Sequence, residues 1–216
     1  MPVRIPTNRR GRNIVGKFPS LKLGRMVAFE STIERDYIYL LEFDRKVVFF
    51  EEQPLTIEYK FEDRQHKYTP DFKVVDASGR HLLVDCKPLA YVDTDDNKRK
   101  FAAATQWCVD QNWEFQVIID QDIRAGHRLD NIKMLWQFAR YNVSPDINAR
   151  IIAALNSTVP LTLDELTAQV APNNPRSATI PILHMMFHHQ LRTLIDETKI
   201  TGNSPIYLPV AKEVVS

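Results

Sequence analysis

A chain of 216 residues has room for one large domain or for a medium and a small one, and with 44% apolar residues it can fill a core. The formal net charge of +1 does not announce nucleic acid, and two cysteines exclude a disulfide framework. No apolar run approaches the roughly 18 residues of a membrane span, and the charged N-terminus lacks the apolar stretch of a signal peptide, so a reducing, cytoplasmic setting is expected.

Charge is unevenly spread. Residues 1 to 25 carry Arg4, Arg9, Arg10, Arg12, Lys17, Lys22 and Arg25 and no acid. They are read as an extended basic arm, with Arg9, Arg10 and Arg12 as candidate phosphate contacts. A solvated tail is the alternative. Next, "FESTIERDYIYLLEFD" (29–44) predicts a helix, capped by Ser31 or Thr32, with Ile33, Tyr37, Leu40 and Leu41 on one side. "KVVFFEEQP" predicts a strand closed by Pro54. "LTIEYKFED" alternates as a half-buried strand does, and "YTPDFKVVD" and "HLLVDCK" predict two more strands around the turn "DASGR". A helix is expected over 96–112, a strand over 113–120 whose apolar character suggests a central place, and a helix over 131–141. Helix, meander, helix, strand, helix defines an α/β or α+β architecture with a mixed sheet.

Composition shifts at "NVSPDI" (142–147). The expected domains are an arm over 1–25, a first domain over 26–142 and a smaller one over 143–216. The latter has helical segments at 145–156, 162–170 and about 177–197, Thr162 and Glu165 forming a capping box. A hairpin around Gly202 and Asn203 follows, and the whole suggests a winged-helix-like unit.

The chemistry concentrates in "YTPDFKVVDASGRHLLVDCKP" (68–88). Asp85 and Lys87, two apart on a strand, share a face, and the hairpin brings Asp71 beside them. Two converging carboxylates form a hard oxygen site suited to Mg²⁺, for which Mn²⁺ can substitute, and the Cys86 carbonyl is a further candidate ligand. Lys87 can orient or deprotonate an attacking water. A surface hairpin with an exposed ion pair is the bland alternative, but Leu82, Leu83 and Val84 mark a buried strand, where unpaired charge is costly. Glu34 on the preceding helix is a candidate fourth member, with Glu30 competing one turn away. Gln53 either joins such a site or ties down its loop, the latter being favoured. Lys98, Arg99 and Lys100 are candidate DNA contacts at the next helix start. His184, His188 and His189 are read as helix histidines, since no acid stands near them at metal-ligand spacing, and Trp107, Trp113 and Trp136 as core.

"FESTIERDYIYLLEFD", "FFEEQPLTIEY", "YTPDFKV" and "LLVDCKP", in this order, resemble the TnsA family, the endonuclease subunit of two-protein transposases. The resemblance covers about residues 25–120, and the part after 145 is similar in helix content to that family's C-terminal winged-helix domain. It implies a restriction-endonuclease-like fold of the PD-(D/E)xK type. It also implies Mg²⁺-dependent hydrolysis of one DNA strand at each transposon 5′ end, with one or two ions bound. The implied partners are transposon-end DNA, an integrase-type transposase that handles the 3′ ends, and an AAA-type ATPase regulator. Glu34 then matches the helix glutamate of the metal site, Asp71 the bridging aspartate and Lys87 the lysine near the attacking water. Asp85 stands where some members have glutamine. An independent restriction or junction-resolving nuclease of the same fold and a non-catalytic binding module are the alternatives.

Overall fold

The computed structural model describes residues 14–156 and 160–209. The chain divides into two compact units between Arg124 and Ala125.

The first unit opens with a hairpin of β1 (Gly16–Pro19) and β2 (Met26–Phe29). Helix α1 (Thr32–Phe43) follows, its N-terminus capped by Ser31, whose side chain accepts from the Glu34 amide. β3 (Val47–Glu52) leads to the hairpin β4 (Ile57–Phe61) and β5 (Arg64–Tyr68), which stands apart from the main sheet. β6 (Phe72–Asp76), β7 (His81–Lys87), helices α2 (Leu89–Val92) and α3 (Asp95–Asp110), β8 (Glu114–Ile119) and the short α4 (Asp120–Ile123) complete it. The sheet runs β3-β6-β7-β8, antiparallel except for the parallel pair β7–β8. A mixed sheet is thus present, as the element order implies.

Strand alternation assigns the faces. Phe72 lies opposite Val84 in the register, and the Tyr37 ring of α1 meets Phe72 at 5.7 Å between centroids, so α1 covers that side. Leu83 points the other way. It packs with Ala104 and Cys108 of α3 and with Ile57 and Tyr68 of the β4–β5 hairpin. Asp85 and Lys87 share the parity of Leu83 and face the hairpin side.

Several expectations change. β8 is an edge strand of the described sheet, not a central one; α3 covers its apolar residues, Phe101 meeting Phe115 at 5.8 Å. β5 escapes the sequence because its turn residues, Glu62 and Asp63, are not the usual Asn-Gly, yet both adopt positive φ (47° and 59°) as a tight hairpin turn requires. Residues 14–25 are part of the folded unit and not of a free arm. Lys22 Nζ donates to the carbonyls of Leu41, Asp44 and Val47, each at 2.6 Å. Helix α1 has no basic residue in its last turn, and Lys22 supplies from upstream the cation that its C-terminus attracts. Glu42 accepts from the Ser20 hydroxyl and from the amides of Leu21 and Lys22. Glu52 takes a two-pronged grip from Arg25 at 2.8 and 2.7 Å and a bond from the Ala28 amide. Two buried glutamates thereby fasten the β1–β2 hairpin to α1 and β3.

The second unit contains α5 (Arg128–Trp136), α6 (Pro145–Leu155), β9 (Leu161–Thr162), α7 (Leu163–Val170), α8 (Arg176–Phe187) and β10 (Pro205–Ile206). The helix expected at 131–141 therefore closes no part of the first domain. Trp136 packs on Phe187 at 5.5 Å, and Asn131 donates to the carbonyls of Ile195 and Thr198 and accepts from the Ile200 amide. The composition break at 142–147 is a link between two helices of one unit. The capping box of Thr162 and Glu165 is present. The segment expected to be helical to 197 ends at Phe187. His189 takes φ 56°, and the amides of Gln190 and Leu191 turn back to the Met185 carbonyl. β10 pairs with β9, and Tyr207 bridges to Arg192, so the turn at Gly202 and Asn203 does not close the expected local hairpin. No helix among the described residues is long and apolar enough to cross a membrane.

Replacing Lys22 with Met leaves three carbonyls without their donor. Urea unfolding is expected to show a loss of about 2–3 kcal/mol, since an orphaned buried acceptor costs about 1–3 kcal/mol and some of the three regain water.

Candidate active site

The strand end of β7 brings the charges together. Lys87 Nζ lies 2.7 Å from Asp85 Oδ2 and 4.0 Å from Asp71 Oδ2, so i and i+2 do share a face as their parity requires. Asp71 immediately precedes β6, where the β6–β7 register sets it opposite Asp85. Its position is held twice through the backbone. The Cys86 amide donates to Asp71 Oδ2 at 2.7 Å, and the Gln53 amide donates to the Asp71 carbonyl at 2.8 Å. Gln53 adopts φ 44° where it makes that bond, and its buried Oε1 has no hydrogen-bond partner among the described residues.

Glu34 sits in the first turn of α1, buried, with Oε2 accepting from the Glu30 amide at 2.8 Å. It lies within the electrostatic reach of both Lys87 and Asp71. Of the two glutamates that compete for the helix position, Glu34 has its carboxylate turned back toward the helix start, with the Glu30 backbone as its donor. Asp85 is the most enclosed of the acids, its side chain 1% exposed. Its Oδ1 accepts from the Tyr68 hydroxyl at 2.7 Å. Tyr68 is the member that sequence reasoning missed. Its place in "YTPDF" is visible, but nothing local tells that the end of a separate hairpin reaches β7.

Burial raises the Glu34 carboxyl above its ordinary value, with the charge of Glu30 adding and the Glu30 amide and Ser31 opposing. Burial also holds the Asp71 carboxyl well above the usual carboxylate range, reinforced by Asp85 and opposed by Lys87. For Lys87, burial alone would favour the neutral amine, but the fields of Asp71 and Asp85 outweigh it, so the ammonium is held above its ordinary value.

Three ionised carboxylates around one ammonium leave two negative charges in a largely buried place. A divalent cation matches that charge, and the donors are all hard oxygens, which suits Mg²⁺ or Mn²⁺. Among the described residues no three His, Cys, Asp or Glu side chains are gathered tightly enough to hold an ion as they stand; the Lys87 ammonium takes one oxygen of Asp85 and approaches Asp71. The donor set fits the ion in type and charge. The Cys86 side chain is buried, and its amide donates to the Asp71 carboxylate.

The remaining candidates fall elsewhere. Lys98, Arg99 and Lys100 open α3 and are engaged locally, Lys98 with Asp93 at 3.5 Å, Arg99 with Asp96 and over the Phe61 ring at 4.4 Å, and Lys100 with Asp96. Arg9, Arg10 and Arg12 lie outside the described residues. In the second unit His184 Nδ1 and His188 Nε2 bond the carbonyls of Phe138 and Ala139 at 3.0 and 2.8 Å, which accounts for them as helix-end partners.

A four-stranded mixed sheet with helices on both faces, and acids and a lysine converging at the end of adjacent strands, fits a restriction-endonuclease-like fold. Residues 44–120 match the family model described as TnsA-like endonuclease N terminal. The match supports a TnsA-like endonuclease N-terminal domain over this stretch, which contains Asp71, Asp85 and Lys87, while Glu34 precedes it. No curated protein matches the chain.

A carboxyl whose folded value is raised adds stability that is complete below its unfolded value and is lost as the pH rises through the folded value. For Asp71 that window opens above its ordinary value of 3.8. In cation-free protein, Asp71→Asn is therefore expected to raise the neutral-pH stability. The gain should shrink as the pH falls toward 4. Denaturant midpoints of both proteins across that range check it.

Proposed function

We propose that the chain is a Mg²⁺-dependent DNA endonuclease that hydrolyses one strand at each 5′ end of a transposon, as a subunit of a cut-and-paste transposase. The observation that carries the reading is the meeting of Asp71, Asp85 and Lys87, with Glu34 in reach, inside or beside the stretch that matches a TnsA-like endonuclease. The family implies DNA as substrate and a transposase as partner; an ATPase regulator completes the proposed assembly.

Asp71, Asp85 and Glu34 would hold the ion, with one or two bound. A divalent ion there supplies Lewis-acid polarisation of the scissile phosphate and a more acidic water. Asp71 is positioned for that role by the Cys86 amide on its carboxylate and the Gln53 amide on its backbone carbonyl. Lys87, held protonated by two aspartates, acts by orienting the water and by stabilising the charge that develops on the phosphate, in preference to abstracting a proton.

The second unit is read as a winged-helix-like module. In support, β9 precedes α7, and β10 pairs with it after α8, with Arg192 bridging to Tyr207. α8 offers Arg176 as its only Lys or Arg, which favours docking of a protein partner over a DNA groove.

The test is cleavage of a plasmid carrying transposon ends, with Mg²⁺ or with a chelator, and with or without the partner transposase and ATPase. Cleavage that needs Mg²⁺ and the partners, is abolished by Asp71→Ala and falls about 10²–10⁴-fold in Lys87→Ala is the expected result. Cleavage by the chain alone, at sites of its own choice, would instead mark an independent nuclease.

A further inference from the structure

Tyr68 ends β5, and its hydroxyl donates to Asp85 Oδ1 at 2.7 Å. The two groups are both buried, and the Tyr68 ring is packed with Ile57, Leu83, Ala104 and Cys108, so the phenol has no freedom to swing away. A phenylalanine would fill the same space. A buried hydroxyl is costly unless it is bonded, and this one spends its donor on a carboxylate of the charged cluster and not on the backbone of its own hairpin. The two oxygens of Asp85 are thereby given different tasks. Oδ1 is committed to the phenol, while Oδ2 meets Lys87 Nζ at 2.7 Å and belongs to the cluster.

Hard cations differ in what they ask of a carboxylate. Ca²⁺ takes about 6–8 oxygens and accepts both oxygens of one carboxylate, whereas Mg²⁺ demands a compact octahedron. We propose that Tyr68 is a specificity-determining residue for the cation: by engaging Oδ1 it restricts Asp85 to a one-oxygen ligand, which favours Mg²⁺ or Mn²⁺ over Ca²⁺. The inference rests on reading the cluster as a cation site. Tyr68 acts through Asp85 and is a positioning residue, not a catalytic one.

The full chain is loaded with Mn²⁺, the bound ion is followed by electron paramagnetic resonance, and Mg²⁺ and Ca²⁺ are titrated as competitors. Wild type is expected to release Mn²⁺ to Mg²⁺ more readily than to Ca²⁺. In Tyr68→Phe the ratio of the two displacing concentrations should move toward Ca²⁺ by about tenfold, the lower end of what loss of a ligand-orienting partner costs. An unchanged ratio in folded Tyr68→Phe overturns the inference and leaves the cation reading standing. No Mn²⁺ binding by wild type overturns both. Should Tyr68→Phe not fold, 3,5-difluorotyrosine at position 68 keeps the ring and strengthens the donor. The ratio should then move away from Ca²⁺, and its constancy would overturn the inference.

Discussion

Uncompensated negative charge at the end of β7 is the constraint around which the first unit is arranged. Asp71 and Asp85 flank a single ammonium with Glu34 in its electrostatic reach, and burial raises the Glu34 and Asp71 carboxyls. Left without a cation, such a cluster opposes folding. The surrounding structure must hold it together from outside, with the Cys86 and Gln53 amides on Asp71, the Glu30 amide on Glu34 and the Tyr68 hydroxyl on Asp85. Each carboxylate receives a well-placed neutral donor, while the Gln53 amide holds the backbone of Asp71.

The other buried acids of the same unit show what the alternative looks like. Glu42 accepts from a hydroxyl and two amides, Glu52 from an arginine fork and an amide, and Asp36 is gripped by Arg124 at 2.9 Å. Their charge is used up in fastening the β1–β2 hairpin and α4 to the rest of the unit. Burial alone therefore does not distinguish a functional carboxylate here. The distinction lies in whether donors of opposite sign match the acids nearby, and of these acids the three around Lys87 are the ones for which they fall short.

Local chemistry makes part of this legible. The Ser31 cap, the Thr162–Glu165 box and the i, i+2 pairing of Asp85 and Lys87 depend on residues a few positions apart, and each is found in the structure. Features that depend on distant partners are not legible in this way. β8 reads as central because it is apolar, yet a helix covers it at the sheet edge. Lys22 reads as part of a basic arm, but three carbonyls at the end of a helix claim it. The helix read at 131–141 stands in sequence as the end of the first domain, but Asn131 binds the backbone of residues 195–200. Tyr68 reads as a strand aromatic, since the pairing that takes it to Asp85 runs through a hairpin whose turn carries no glycine.

Tyr68 and Asp71 are separated by Thr69 and Pro70 alone. One delivers a hydroxyl to the cluster and the other a carboxylate, and they leave from a hairpin on one side and a sheet strand on the other. The two intervening residues thus act as a spacer of fixed length between two structural layers. The β4–β5 turn at Glu62 and Asp63 can change length freely, because it touches neither end of that spacer. The Thr69–Pro70 step cannot, because one added or lost residue would shift the phenol and the carboxylate out of phase with each other. Sequence drift in this unit is accordingly expected to accumulate at the hairpin tip, while the interval between hairpin and sheet stays at two residues.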